Sequence, residues 1–309
     1  MQDADDKGTT VDPERLLGLR FVAAEARRAA RRRTSATPGP FVTRRRGRGS
    51  ETDDVRTWSH GDDIRHIDRN VTARTGEPHV RTFRDERERT TLLVADFRPA
   101  MLFGTRRAFL SVAAAEALAL AGWSANADGG RVGLYAVSAG EPVFVKPAPG
   151  DRAMVAAIGG LARAHRRALS AVAAGGEATG DGGLSVPGLE AALENAARML
   201  PPGGTLVLAS GLDGADEAFD TAARRVTQRV DLDVLVLSDA FERVPPRGVY
   251  PFQAPDGRRA VGLIDGPPRT GDGRVERMRA LGARALLLPA EASPETIAHQ
   301  MEGLDAGRV

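Results

Sequence analysis

Cysteine is absent from the 309 residues. That excludes a disulfide framework, a cysteine nucleophile and any thiolate zinc site. Lysine is nearly absent too. Of the 43 basic residues, only Lys7 and Lys146 are lysines. No run of about 18 apolar residues exists, so no segment reads as a membrane-spanning helix. The opening MQDADDKGTT is acidic and polar, and lacks the basic and apolar regions of a secretory signal. Together these absences point to a cytoplasmic setting. The P-loop pattern is missing, which argues against nucleotide hydrolysis. The nucleophile elbow G-x-S-x-G and the zinc motif H-E-x-x-H are missing as well. None of the five histidines, at 60, 66, 79, 165 and 299, sits in a triad context.

What remains is an ordinary globular composition, 42% hydrophobic and 27% charged, with a net charge of +2. Near-neutrality argues against a strong electrostatic footprint, and no nucleic-acid partner is expected. One stretch departs from this balance. Residues 26–50 carry nine arginines and no acid, and could attract an anionic polymer or membrane surface.

The chain reads in three parts. Residues 1–40 form a flexible tail and a short amphipathic helix. That helix starts at Asp12-Pro13 and carries Leu16, Leu17, Leu19, Phe21 and Val22, and Arg27 to Arg33 either extend it or fray. Residues 41–85 are too poor in aliphatics for a core of their own, and are expected to pack on another part of the chain. From about residue 86, continuously apolar strands alternate with helices. Strands are expected at 91–95, 131–137, 204–210, 232–237 and 283–288, with 142–146 as a hairpin partner and another hairpin over 248–264. Helices are expected at 103–127, 151–174, 186–200, 216–228, 275–281 and 293–304. This is the pattern of an α/β fold with a parallel sheet covered on both faces. Ligands bind such sheets beyond the carboxyl ends of the strands, which directs attention to Asp96 and the loop after Ser210.

Two constellations could carry chemistry. His60, Asp62, Asp63, His66 and Asp68 fall within nine residues and include imidazoles and carboxylates suited to zinc, manganese or iron. The structural alternative is a turn with internally paired charges. Residues 81–89 (RTFRDERER) alternate in sign. They read as an ion-pair face, or as arginines clamping an anion.

These motifs together resemble the family called domain of unknown function 58, whose members are von Willebrand factor A-like proteins associated with MoxR-type AAA+ ATPases. Residues 46–51 (RGRGSE) resemble its glycine-rich lead-in, and Val55-Arg56-Thr57-Trp58 its L-R-x-Y with tryptophan for tyrosine. The most specific stretch is Gly61-Asp62-Asp63-Ile64-Arg65-His66-Ile67-Asp68. Arg74 and Arg81 follow, then Glu86 and Glu88 before the first strand, and Leu102-Phe103-Gly104 opening the first helix. Residues 239–250 (DAFERVPPRGVY) are similar to a later family pattern.

The resemblance implies a doubly wound, mostly parallel von Willebrand factor A-like, Rossmann-type sheet with the N-terminal extension packed on it. It also implies a non-enzymatic adaptor acting with a MoxR-type ATPase on an unknown client in protein maturation or assembly. Such domains often carry a metal-ion-dependent adhesion site, where Mg²⁺ holds hard oxygen ligands and a partner carboxylate. Here Asp96 is kept, but the two serine positions are Arg98 and Ala100. The threonine loop reads Gly182-Gly183-Leu184 with Ser185 one place late, and the strand-end aspartate falls at Gly211 with Asp213 two places on. Arginine repels a metal ion, so the expectation is a degenerate site without metal or cofactor, made of Asp96, Arg98, Ser185 and Asp213. Either Asp96 and Arg98 pair and cap the helix start, or Arg98 itself receives the partner's carboxylate. The other reading is a metal-dependent enzyme or binder using the His60–Asp68 cluster.

Overall fold

The computed structural model describes residues 8–35, 47–60, 62–83, 89–138, 140–174, 188–253, 259–265 and 272–305. The chain divides into two units, residues 1–33 with 89–309, and residues 34–88.

The smaller unit holds the antiparallel strands β1 (Gly47–Thr57) and β2 (His79–Phe83), joined through a 3-10 turn Ile64–His66 and the helix α2 (Arg69–Thr75). Its polar composition leaves few residues to bury, and among those whose burial is described Val80 and Asp68 are withdrawn from solvent. Local hydrogen bonding shapes it instead. Asp63 and Asp68 cap the turn and α2, and Gly76, at φ 77°, ends α2 in the left-handed region that glycine tolerates best.

The larger unit opens with α1 (Pro13–Ser35) and then holds β3 (Thr90–Asp96), α3 (Leu110–Ala127), β4 (Arg131–Val137), β5 (Val143–Pro149), α4 (Asp151–Ala173) and α5 (Leu189–Arg198). It continues through β6 (Thr205–Ser210), α6 (Glu217–Thr227), β7 (Asp231–Ser238), the single-turn α7 (Ala240–Arg243), a hairpin of β8 (Gly248–Gln253) and β9 (Arg259–Ile264), α8 (Gly273–Ala280), β10 (Arg284–Pro289) and α9 (Pro294–Asp305). Six strands form one sheet in the order β10-β7-β6-β3-β4-β5, parallel except for the edge strand β5. This is a mixed α/β fold with a mostly parallel central sheet. Leu93 and Ala95 of β3 face one core with α1, α3, α4 and α9. Leu92 and Val94 face the other with α5, α6 and α8. Burial on both faces is why these strands read as unbroken apolar runs rather than alternating ones. The sheet grows in one direction from β3 to β4 and in the other from β3 to β6. The reversal opens a crevice beyond the carboxyl ends of β3 and β6.

Two expectations are corrected. The N-terminal helix is not short: it runs 23 residues. Its buried face is Leu16, Leu19, Ala23 and Ala26, at helical spacing, while Phe21 is 65% exposed under the Arg20 guanidinium. Two polar anchors reinforce this docking. Trp123 Nε1 donates to Leu16 O, and the buried Glu116 of α3 accepts Arg15 (2.9 Å) and the Arg107 fork (2.7 and 3.1 Å). The second correction concerns α3, which starts at Leu110 and not at Phe103. A 3-10 turn, Pro99–Met101, and an irregular stretch precede it. Two amides that a helix begun at Phe103 would need for its own ladder are committed elsewhere, Phe109 N to Gly8 O at 2.8 Å and Leu110 N to Phe103 O at 2.7 Å, while Asp239, 134 residues away, takes the Thr105 amide and hydroxyl. Gly104 is also wedged against the chain. A Cβ there would lie 2.2 Å from Ala108 O.

Among the buried titratable groups, a histidine carries a large pKa shift. His165 of α4 is 1% exposed, bonded to Ser111 Oγ at 3.0 Å and set edge-on to Phe97. Burial lowers its pKa from the ordinary 6.5 to about 4. The unfolded chain therefore binds the proton more readily. The stability this group contributes is present above pH 6.5 and is lost as the pH falls toward 4, by about 3 kcal/mol. Urea unfolding of wild type and His165→Asn between pH 7 and 4 should show the wild type losing about that much more. Parallel pH profiles would contradict the assignment.

Candidate functional site

The crevice is built around Asp96, the last residue of β3, which is 1% exposed. Both carboxylate oxygens are engaged. Oδ1 accepts the Arg98 amide (3.0 Å) and Nε (2.9 Å), and Oδ2 accepts Arg98 Nη2 (2.8 Å) and Ser210 Oγ (2.7 Å). Ser210, the last residue of β6, also accepts the Leu212 amide at 2.9 Å. Arg98 Nη2 donates onward to Asp213 O at 2.9 Å, so the guanidinium ties the ends of β3 and β6 together. Its Nη1 has no acceptor among the described residues. Burial works against the Arg98 charge, but the hydrogen bonds and charge of Asp96 outweigh it and raise its pKa.

The loop after Ser210 is tightly held. Gly211 N donates to Met101 Sδ, and a Cβ on Gly211 would lie 2.7 Å from Asp213 Oδ2. The Asp213 carboxylate would have to swing aside to admit one. Leu212 sits at φ 60°, a costly conformation for a leucine, kept by its buried side chain and by Ser210. Asp213 lies at the surface. Desolvation raises its carboxyl pKa, Arg274 opposes this, and Asp96 adds to it.

Further residues complete the carboxyl-end rim. Asp239, just past β7, accepts the Thr105 amide (2.9 Å) and hydroxyl (2.5 Å) and the Phe241 amide (2.8 Å). Burial pushes its pKa up, but these bonds outweigh it and hold the carboxyl low. Arg274, second residue of α8, reaches Gly211 O at 2.7 Å, Glu242 at 2.7 Å and Asp272 at 2.6 Å. Arg243 donates to Ser238 Oγ and pairs with Glu291. An aromatic series runs edge-on from Phe103 to Phe241 to Tyr250, leading from the loop after β3 to the β8–β9 hairpin.

Of the residues expected at the degenerate adhesion site, the structure brings together Asp96, Arg98 and Asp213, whereas Ser185 lies outside the described residues. Ser210, Asp239 and Arg274 were not expected in these roles. The first two carried a usable signal, a polar residue closing an apolar strand. Arg274 carried none, being one arginine among many.

The family motif lies in the smaller unit, and its acids serve as braces. Asp62 accepts the Arg56 fork (2.5 and 2.7 Å) and the Ser59 amide (2.8 Å), while Trp58 Nε1 donates to Asp62 O. Asp63 accepts the Arg65 amide, and Asp68 accepts the Asn70 and Val71 amides. His60 stands edge-on to Trp58. Arg65 and Arg74 are exposed. Gly61, Glu86 and Glu88 lie outside the described residues. Among the described residues no group of three or more histidines and carboxylates is placed to hold a metal ion.

The Asp239 bonds generate a test. Asp239→Ala removes the acceptor for three donors and should cost about 2–3 kcal/mol. It should also speed hydrogen exchange at the Thr105 amide. Urea unfolding and exchange of the full chain check this, and an unchanged Thr105 amide would show that the loop is held by something else.

Several known proteins are similar to parts of this chain. The uncharacterized protein Rv1480 of Mycobacterium tuberculosis is 45% identical over 75 residues, 23% of this chain and 24% of that protein. The aminoglycoside N(3)-acetyltransferase IV of Salmonella sp. is 39% identical over 112 residues, 33% of this chain and 41% of that protein. The chain thus spans about a quarter and two fifths of the length of these curated relatives. Among solved structures, the conserved hypothetical protein BatB from Bacteroides thetaiotaomicron aligns with 71% of this chain and 98% of its own, at 12% identity and a TM-score of 0.44. No helix among the described residues is long and apolar enough to cross a membrane. The model of the family described as protein of unknown function DUF58 matches residues 54–265, more than half of the chain, and the protein belongs to that family.

Proposed function

We propose that this protein is a non-enzymatic, cytoplasmic interaction module, an adaptor that works with a MoxR-type AAA+ ATPase on client proteins. Its sheet is read as von Willebrand factor A-like. The strand order, with its reversal between β3 and β6 and an antiparallel edge at β5, supports that reading. In this reading the crevice is an adhesion site that has exchanged its metal for a side chain. The carrying observation is the Arg98 guanidinium, clamped between Asp96 and Asp213 O with Nη1 left over. A divalent cation would need the oxygens that this guanidinium already holds, and the two charges would repel. The leftover Nη1 can donate a charge-assisted hydrogen bond to a carboxylate on the partner. Asp96, saturated by four donors, has no free lone pair facing the crevice with which to act as a base.

The test is capture of the ATPase from lysate by wild type and by Arg98→Glu, each with and without EDTA. The expected result is capture by wild type that EDTA leaves unchanged and that the variant loses. Capture abolished by EDTA would overturn the metal-free site, and equal capture by both proteins would reduce the Asp96–Arg98 pair to a structural role.

A further inference from the structure

The motif at residues 61–74 is not accounted for by the crevice. Its three aspartates are turned to internal use, one clamped by the Arg56 fork and two capping the 3-10 turn and α2. The side chains left facing solvent are different ones. Ile64 is 71% exposed, the highest exposure of any large hydrophobic side chain among the described residues. It opens the 3-10 turn, held from both sides by the Asp63 cap before it and by the Ile67 amide bonded to Ile64 O. Arg65 follows it directly and Arg69 opens α2. Both are exposed, and neither side chain has an acceptor among the described residues. The arginine that a carboxylate does engage, Arg56, lies behind the turn on β1.

An apolar side chain on a braced turn, with unpaired guanidinium groups beside it in the chain, is the composition of an interface centre and its rim. Among the residues whose exposure is described, the exposed carboxylates near it in sequence are Asp63, which accepts the Arg65 amide, and Glu77. We infer that the Ile64 turn is a docking knob for a folded protein partner, one presenting an apolar pocket for Ile64 edged by carboxylates that receive Arg65 and Arg69. Charge complementarity selects this occupant. Two cations without internal acceptors call for acids across the interface, and a phosphate polymer would have no use for the isoleucine. This surface lies in the smaller unit and goes beyond the crevice reading.

The experiment places the photoreactive residue p-benzoylphenylalanine at position 64 of the full chain, in cells, with a second probe at Val155 as an exposed reference. The adducts are mapped to the crosslinked residue by mass spectrometry. The expected result is a discrete protein adduct whose attachment point lies in an apolar depression beside aspartates or glutamates. Arg65→Glu with Arg69→Glu should reduce it about tenfold, while Arg98→Glu should leave it unchanged. That last arm separates failure of this inference from failure of the crevice reading. Circular dichroism of the purified variants checks that the exposed substitutions leave the fold intact. The inference is overturned if position 64 gives no adduct beyond that at Val155, or if the attachment point lacks acids. It is overturned equally if charge reversal changes nothing, or if the adduct is to nucleic acid or lipid.

Discussion

The Asp96 carboxylate is the point on which the crevice depends. It ends a strand buried on both faces, at the place where the sheet reverses direction, and is withdrawn from water. An ionised group there is tolerable only if every lone pair is satisfied. Arg98 supplies three donors and Ser210 the fourth. Satisfying Asp96 fixes the guanidinium in one orientation, brings Nη2 onto Asp213 O, and draws the loops after β3 and β6 together. The left-handed leucine at 212 accompanies that closure, its amide held by Ser210 Oγ.

A chain that uses arginine almost to the exclusion of lysine builds the rest of its rim in the same way. Arg274 joins Gly211 O, Glu242 and Asp272, and Arg107 and Arg15 share Glu116. The planar, forked guanidinium bridges two or three acceptors where an ammonium would mark one point. The result is a carboxyl-end surface whose charges are largely committed to one another. In the adaptor reading proposed above, recognition would fall to the few donors left over. The smaller unit divides labour similarly, with Asp62, Asp63 and Asp68 used as clamp and caps while Ile64, Arg65 and Arg69 stand exposed.

Much of the fold was legible because its determinants are local. The apolar runs at 91–95, 205–210 and 232–237 are strands, and Asp216 and Asp239 cap the helices that follow them. The Asp96–Arg98 pair was legible for the same reason, its members being two residues apart. What could not be read depends on distant partners. The start of α3 is displaced because the Phe109 amide goes to Gly8 O, far away in the chain, and the Leu110 amide to Phe103 O, rather than to the preceding turn. The buried face of α1 follows Leu16, Leu19 and Ala23 rather than the bulkier Phe21, because small residues let the helix lie close. In the motif, the cluster of acids suggested metal chemistry by composition, whereas capping geometry, set by backbone amides, decides their use.

The most direct measurement is calorimetric titration of Mn²⁺ into wild type and Arg98→Ser. If the guanidinium is the cation that the Asp96, Ser210 and Asp213 oxygens hold, the wild type takes up no saturable Mn²⁺. The variant, relieved of the charge and gaining a hydroxyl, then binds one equivalent. Saturable binding by the wild type that the substitution leaves unchanged would contradict the account, because the crevice would then hold a metal beside Arg98 rather than Arg98 in its place.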